Sequence, residues 1–454
     1  MMCKFNKYIK KILSNKYLKF ILCVIFFYAF IILLHPDVLK VSYLHAEDGK
    51  HFFGAWVSDG FKSLFFTQGG YLCFVSRIIG GLTFLLFNIT NSVYIIGNTI
   101  ETLSTLFTAT VFAWFCSEEF DFFIKKRYKR IFYSVILITL FSVHYSVLYN
   151  AVGIHWICGF VTFLASIKLL NNQLPCYKFL PLILVSIVSS ASSMILGFAL
   201  LYYLLKNVNI KDIKGSLKKH SKHDYIKFVL MGLFMCVQAY FILFVGEKTV
   251  GGISNSLTDI LFYTLNMFLS LPLSIFGPIA FNIISELGLN VYLGSTLWII
   301  LIIFVMKTGK TKMLLLCAID IFFLYFMTLY KNTDLLTTYQ GLISFTISFY
   351  NSLPSMIYLM MVILVFDEFK IKKSFDYAVC FVAIFLIMFY MYKNNSYQPD
   401  FNKNANFDKI SKFVESKSRY YTNVEITPYN GWCVKIPVNK KYCEENVCEK
   451  RNVY

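Results

Sequence analysis

The chain has 454 residues, of which 57% are hydrophobic and only 15% charged, a composition that excludes the usual classes of soluble domain. Apolar runs of about 17 to 25 residues recur along most of the chain, and each is long enough to cross a bilayer as a helix. The sequence therefore predicts an all-α, polytopic transmembrane helical bundle. A β-barrel would instead show short segments of alternating apolar and polar residues.

The formal net charge of +18 raises the question of a nucleic-acid partner. The lysines lie in short clusters between the apolar runs and form neither one basic face nor a known motif. We therefore predict no nucleic-acid partner and interpret the clusters as topology signals of a protein embedded in a lipid bilayer. The 48 Phe and 31 Tyr fit a bias toward AT-rich codons and are not evidence for sugar binding by themselves.

The first apolar segment, Leu18 to Leu34, follows a basic N-terminus that includes Lys4, Lys7, Lys10 and Lys11. No small-residue cleavage site follows it, so we expect an uncleaved first helix with its N-terminus in the cytoplasm. The next loop, residues 35–92, is then expected on the outer face.

This loop contains the stretch LHAEDGKHFF, Leu44 to Phe53, with Glu47 and Asp48 side by side. Apolar residues recur after the acids at helical spacing: Phe52, Phe53, Trp56 and Val57. With Gly60 as a C-terminal cap, the pattern predicts a short amphipathic helix on the outer membrane surface. The carboxylates lie at its start, where the helix dipole favours the ionised form. They could act as bases at neutral pH, or they could only cap the helix.

The same stretch raises the question of a metal site, because His45, Glu47, Asp48 and His51 lie within about one helical turn. Side chains converge on one ion when they are three or four residues apart, but not when they are adjacent. We therefore expect no metal, and the absence of a glycine-rich phosphate loop predicts no nucleotide cofactor.

The segment Tyr71 to Phe87, with Arg77 at its middle and Gly80 and Gly81 beside it, is followed by another apolar run, Val93 to Cys116. The loop after that run, residues 125–130, is strongly basic and should be cytoplasmic, so only one of the two segments spans. We expect Tyr71 to Phe87 to lie along the outer surface, because an interfacial helix lets Arg77 reach phosphates and water.

Two longer runs are interrupted. Leu180 to Leu205 contains a serine cluster at 189–193, which predicts two short helices meeting on the outer side. Leu261 to Ile284 is broken at Gly277 and Pro278 and is expected to be juxtamembrane or re-entrant. The remaining predicted spans are Ile131 to Tyr149, Ile154 to Leu170, Phe228 to Val245, Tyr292 to Met306, Met313 to Leu329, Ser352 to Phe366 and Phe375 to Met391. Together these predict about eleven crossings with the C-terminus outside.

Residues 1–392 thus form the predicted transmembrane module, and residues 393–454 a polar extracytoplasmic tail that is expected to pack on the outer face. Three tail cysteines could form a bridge in an oxidising compartment. The pair is either Cys443 with Cys448, or one of these with Cys433.

Three features of the chain, taken together, resemble the GT-C superfamily of membrane glycosyltransferases. They are a first helix, an acidic pair at the start of a juxtamembrane helix, and an interfacial segment with GGYL (69–72) and Arg77. Among its members, the serotype-converting O-antigen glucosyltransferases are similar in size and in having an outer tail. Looser similarities are His155–Trp156 at an outer helix end and ITPYNGW, Ile426 to Trp432. One departure is Phe349-Tyr350-Asn351, where several members carry an Arg-Tyr pair, which puts a phosphate contact there in doubt.

The resemblance implies transfer of a sugar from a polyprenyl-phosphate carrier to a surface glycan or lipid-linked acceptor, at the outer face of a bacterial inner membrane. Asp48, or else Glu47, would be the general base. Arg77 is the preferred cation for the leaving phosphate, with Lys50, Lys62 and Lys248 as further candidates. The implied substrate-binding residues are Arg77, Lys50, His51, His155, Trp156, Tyr350 and Trp432. Relatives of this kind act beside a flippase and a carrier-charging enzyme.

Two other functions stay open. Glu101 and Asp320 lie within predicted spans, and a transporter or flippase for a lipid-linked sugar would use intramembrane acids of this kind. Helix–helix hydrogen bonding is their simpler role. An O-antigen polymerase or ligase would also work at the outer face.

Overall fold

The computed structural model describes residues 15–34, 36, 44, 47–68, 70–142, 150–207, 222–245, 257–274, 278–331, 352–368, 410–418, 420–425 and 433–450. This part of the chain is mostly helical, with only short strands. The predicted all-α class is confirmed at that level. The predicted span Phe375 to Met391 lies outside the described residues.

The chain divides into two compact units. The first comprises Met1–Phe65, Val75–Ile154 and Ala383–Tyr454, and the second comprises Phe66–Phe74 and His155–Val382. The C-terminal tail therefore belongs to the same unit as the acidic first loop.

Helices α1 to α4 of the first unit are Lys16–Leu34 (α1), Phe74–Thr90 (α2), Tyr94–Phe115 (α3) and Arg127–Ser142 (α4). Between α1 and α2 lies the segment that we call the loop helix, made of the π-helical turns Asp48–Phe53 and the α-helical turns Gly54–Asp59. Helix α1 packs on α3, with the rings of Phe27 and Phe112 6.0 Å apart. The opposite face of α1 leaves Ile21, Ile25 and Leu33 exposed, as expected of a helix that faces lipid.

The helices of the second unit are Ile154–Leu170 (α5), Leu180–Ile187 (α6), Ile195–Asn207 (α7), Lys222–Tyr240 (α8), Leu257–Ser274 (α9), Pro278–Glu286 (α10), Asn290–Thr308 (α11), Thr311–Lys331 (α12) and Ser352–Glu368 (α13). Helices α9, α11, α12 and α13 contact one another and bury Trp298 between Phe268 and Tyr358. A two-stranded sheet, Thr67–Gln68 (β1) and Tyr71–Leu72 (β2), belongs to the same unit.

Four of the described helices are long and apolar enough to cross a membrane, and they lie at Lys16–Leu34, His223–Val245, Asn290–Thr308 and Thr311–Leu329. A fifth crossing results if the helix pair Tyr177–Ile187 and Ala191–Asn207 is one broken span. Large apolar side chains on these helices are exposed, among them Leu243 and Ile299. Such surfaces indicate a membrane protein.

The interruption predicted at the serine cluster is confirmed, because the run splits there into two helices that bend by 118°. The break predicted at Gly277 and Pro278 receives no test, because residues 275–277, between α9 and α10, lie outside the described residues. Serine hydroxyls compete for backbone hydrogen bonds, as Ser189 shows by donating to the carbonyl of Val185. Pro278 is the first residue of α10, a position where its missing N–H costs nothing.

The described part of the tail forms an antiparallel sheet of Tyr420–Glu425 (β3), Cys433–Val438 (β4) and Glu449–Lys450 (β5), in the order β4-β3-β5. A short helix, Lys440–Glu445 (α14), links β4 to β5. Cys443 and Cys448 form a disulfide, which is one of the predicted pairings, and Cys433 is not disulfide-bonded.

Candidate functional site

The acidic loop forms the helix that the spacing predicts. The loop helix begins at Asp48 and ends at Asp59, with Gly60 as its C-terminal cap. The φ of Gly60, 57°, suits a residue without a Cβ, and its N–H donates to the Trp56 carbonyl. Phe53 packs edge-on against Phe84 and Phe87 of α2, with ring centroids 6.2 and 5.5 Å away. The apolar face is therefore buried against α2.

Two glycines of α2 allow this helix to approach closely. A Cβ at Gly80 would lie 2.7 Å from the Phe52 carbonyl oxygen, and one at Gly81 would lie 2.7 Å from Cε2 of the Trp56 ring. The Trp56 indole N–H donates to the Arg77 carbonyl at 2.8 Å. The Gly-Gly pair thus fixes the position of the loop helix, and the acids at its start with it.

Asp48 is buried, with 1% of its surface exposed. Its Oδ1 accepts a hydrogen bond from the backbone N–H of Val152 at 2.9 Å. Ser76 holds the same turn by donating to the Ala151 carbonyl at 2.6 Å. Asp48 is therefore attached to a second segment of the first unit, a role that its local sequence did not reveal.

Glu47 is half-buried and precedes the first turn of the loop helix. Its backbone is helical, and among the described residues its side chain makes no capping hydrogen bond to this helix. The capping interpretation therefore receives no support for Glu47. Whether either acid is a base stays a prediction.

Arg77 is buried, with 2% of its surface exposed. Its guanidinium donates to the His51 carbonyl and lies 5.1 Å from the centroid of the Phe52 ring. These contacts orient the loop helix on α2. The structure thus gives Arg77 a packing role that the prediction of a lipid-phosphate contact did not include, and that contact stays a prediction.

His51 is half-buried, and burial lowers the pKa of its imidazole to about 4, with a further contribution from the charges of Lys50 and Arg77. The ring is therefore neutral at physiological pH. If His51 binds substrate, one nitrogen of its neutral imidazole would donate a hydrogen bond and the other would accept one.

Lys50 is exposed within the loop helix, and Lys62 is exposed in the segment that follows it. The further predicted cation Lys248 and the histidine His45 lie outside the described residues. Within the described ranges, no three His, Cys, Asp or Glu side chains are grouped so that they could hold a metal ion.

His155 and Trp156 lie at the start of α5, in the second unit. Their rings are 4.3 Å apart, and the ring of Tyr71 lies 5.8 Å from His155. The three rings form an aromatic cluster at this helix end. Tyr350 and Trp432 lie outside the described residues, so their predicted roles receive no test.

The tail sheet covers the loop helix. Strand β4 contacts both parts of that helix, and a Cβ at Gly54 would lie 3.7 Å from the backbone N of Lys435. At the end of α2, Asn91, with a left-handed φ of 54°, donates to the Val414 carbonyl at 3.0 Å and accepts from the Ser416 N–H at 2.7 Å. An asparagine at the end of a helix is common, so the sequence alone does not predict that Asn91 contacts the tail.

No protein-family model, curated protein or solved structure matches this chain.

Proposed function

We propose that the protein is a membrane glycosyltransferase of GT-C type, which transfers a sugar from a polyprenyl-phosphate carrier to a surface glycan or lipid-linked acceptor. The observation that carries the proposal is the position of Asp48. A buried carboxylate begins the loop helix, which comes after the first apolar helix in the chain, and the Val152 N–H donates a hydrogen bond to it.

Asp48 is the proposed general base, because catalysis by proton transfer needs a carboxylate held in one orientation. It would take the proton of an acceptor hydroxyl as that oxygen attacks the anomeric carbon of the donor. The bond from the anomeric carbon to the phosphate oxygen breaks, and polyprenyl phosphate leaves with the bonding electrons. Glu47 is the alternative base.

Lys50 is the proposed partner of the leaving phosphate, since it is an exposed cation of the same loop helix that carries Asp48. Arg77 then acts as a positioning residue, because its guanidinium is occupied with the His51 carbonyl and the Phe52 ring.

The surface of the first unit supports an interfacial location for this site. Helix α2 exposes one apolar face. That face consists of Leu82, Leu85, Leu86 and Ile89. Next to the loop helix, the 3₁₀ segment Gly60–Phe65 exposes Phe61 and Phe65 on either side of Lys62. Apolar faces of this kind lie against lipid at the level of the headgroups.

In the proposed topology the chain crosses a bacterial inner membrane about eleven times, with the N-terminus cytoplasmic and the tail outside. The Cys443–Cys448 disulfide supports the outer location of the tail, because such bonds persist in oxidising compartments.

The test is reconstitution in nanodiscs with radiolabelled polyprenyl-phosphate sugars and candidate acceptors. We expect label to pass to an acceptor, and we expect Asp48→Asn combined with Glu47→Gln to abolish the transfer. Glu286→Gln, which neutralises an exposed acid of α10, is the control and should keep full activity. Full transfer by the double variant would refute the mechanism.

A transporter for a lipid-linked sugar is the second candidate, because Glu101 of α3 and Asp320 of α12 are both buried inside apolar helices. A transporter would lose cargo movement on Asp320→Asn and keep it on Asp48→Asn. The transferase predicts the opposite pattern, with transfer kept in the first variant and lost in the second.

A further inference from the structure

The tail contains a polar cleft that the transfer reaction does not use. It lies along β3 and the segment from α14 to β5 and has a volume of about 270 Å³. Its lining includes Tyr421, Thr422, Asn423, Tyr442, Asn446 and Glu449. Ligand cavities usually measure about 300–1,000 Å³, so this cleft has room for a group of the size of a single sugar ring.

The polar groups of the cleft are held in fixed positions. Glu449 accepts hydrogen bonds from the Tyr421 hydroxyl and, at 2.9 Å, from the Asn423 amide. The Thr422 hydroxyl donates to the Val447 carbonyl at 3.2 Å. The Cys443–Cys448 disulfide joins the two sides of the segment that carries Asn446. A cleft ordered in this way loses little conformational entropy when it binds a ligand.

The charges of the cleft favour a neutral ligand. Hydrogen bonds from Tyr421 and Asn423 lower the pKa of Glu449, and burial raises the pKa of Tyr421 to about 12, so the acid is ionised and the phenol protonated. The ammonium of Lys435 lies 4.9 Å from the centroid of the Tyr421 ring, and its charge also lowers the pKa of Glu449. The Glu449 carboxylate repels an anion and the Lys435 ammonium repels a cation, so the groups beside Tyr421 favour a neutral ligand.

The chemistry of the lining matches hydroxyl groups. A carboxylate accepts hydrogen bonds, a side-chain amide donates and accepts, and a hydroxyl does both. Asn423, Asn446 and Glu449 are exposed, so these groups can be reached from solvent. A sugar ring presents several hydroxyls that pair with such groups.

The cleft is also near the loop helix. Strand β4 contacts that helix, and the charge of Asp59, its last residue, contributes to raising the pKa of Tyr421. We propose that this cleft binds a neutral sugar residue of the acceptor glycan, away from the reacting hydroxyl. The naming of the acceptor rests on the proposed function, whereas sugar binding by the cleft does not.

The test uses the full-length protein in nanodiscs, which avoids detergents with sugar headgroups. Saturation-transfer difference NMR is recorded with methyl glycosides of glucose, galactose, rhamnose and N-acetylglucosamine, and with glucuronate as the anionic comparison. We expect at least one neutral glycoside to bind. Asn423→Ala and Glu449→Gln should weaken its binding about tenfold or more, because each removes a polar partner of the ligand.

Glu445→Gln is the matched control, since this acid is exposed on α14 and does not line the cleft. It should bind the glycoside as the unmodified protein does. A thiol count shows in every variant whether the Cys443–Cys448 bridge has formed. Failure of all neutral glycosides to bind, unchanged binding in both cleft variants, or equal binding of glucuronate would overturn the proposal.

A second measurement separates this proposal from the proposed function. In the transfer assay, the cleft variants should raise KM for the acceptor about tenfold and leave kcat within about twofold. Asp48→Asn should keep glycoside binding while it loses transfer. Glycoside binding without any transferase activity would refute the proposed function alone, and transfer with unchanged acceptor KM in both cleft variants would refute the assignment of the cleft to the acceptor.

Discussion

The contact between α2 and the loop helix depends on Gly80, which makes this residue a sensitive test of how the acidic loop is positioned. An alanine Cβ at this position would lie 2.7 Å from the Phe52 carbonyl oxygen and 2.8 Å from its carbon. Both atoms belong to the backbone, so no side-chain rotation relieves the overlap. One of the two helices has to move.

The size of the effect follows from two opposing contributions. Overpacking costs about 1–3 kcal/mol. Replacing a helical glycine by alanine stabilises a helix by about 0.5–1 kcal/mol. We therefore expect Gly80→Ala to reduce the free energy of unfolding by about 1–2 kcal/mol.

Gly232 of α8 is the matched control, because a Cβ there would meet no atom within 4 Å. Gly232→Ala should stabilise the protein by about 0.5–1 kcal/mol. The assay is thermal unfolding of both variants in the same nanodiscs, with hydrogen exchange of residues 48–59 as a local readout. Gly80→Ala should unfold at a lower temperature than the unmodified protein and exchange faster in this segment. Equal or higher stability of Gly80→Ala would refute the close packing of the two helices.

Three further outcomes are expected. Arg77→Met should destabilise the first unit by about 2–4 kcal/mol, because the His51 carbonyl loses a charged donor and Phe52 loses a cation, whereas Arg77→Lys should cost less than half of this in the same unfolding assay. Lowering the pH from 6.5 to 5 should destabilise the protein, because the unfolded state binds a proton at His51 that the folded state, with a pKa of about 4, does not. The loss is about 1 kcal/mol after allowance for solvent screening, and it should be smaller in His51→Gln when both melting temperatures are compared. Asn91→Ala should increase the protease sensitivity of the tail, because the hydrogen bonds between the Asn91 side-chain amide and the backbone of Val414 and Ser416 are lost. Asn172→Ala, which changes an asparagine with a similar left-handed φ, should leave the tail resistant.

Hydrophobic patterning was sufficient to predict the helices. The run Ile154 to Leu170 coincides with α5, and the break at the serine cluster follows from the local chemistry of the serines. The loop helix was also predictable, because its apolar spacing and Gly60 are local signals.

Tertiary contacts of the site were beyond prediction from one sequence. Nothing near Asp48 indicates that its carboxylate accepts a hydrogen bond from Val152, about a hundred residues further on. Arg77 was placed by hydropathy alone, which cannot tell a headgroup contact from a buried contact with Phe52. The tail was predicted to pack on the outer face, but the strand that contacts the loop helix depends on long-range register.

The most direct test of the account is the transfer rate of Asp48→Asn. Asparagine keeps an oxygen that accepts the hydrogen bond from the Val152 N–H, so the variant loses basicity and charge but keeps its attachment. We predict that kcat for sugar transfer falls by about 10²–10⁴-fold, while Glu47→Gln stays within about tenfold of the unmodified protein. Transfer at the unmodified rate by Asp48→Asn, with the fold intact, would contradict the account.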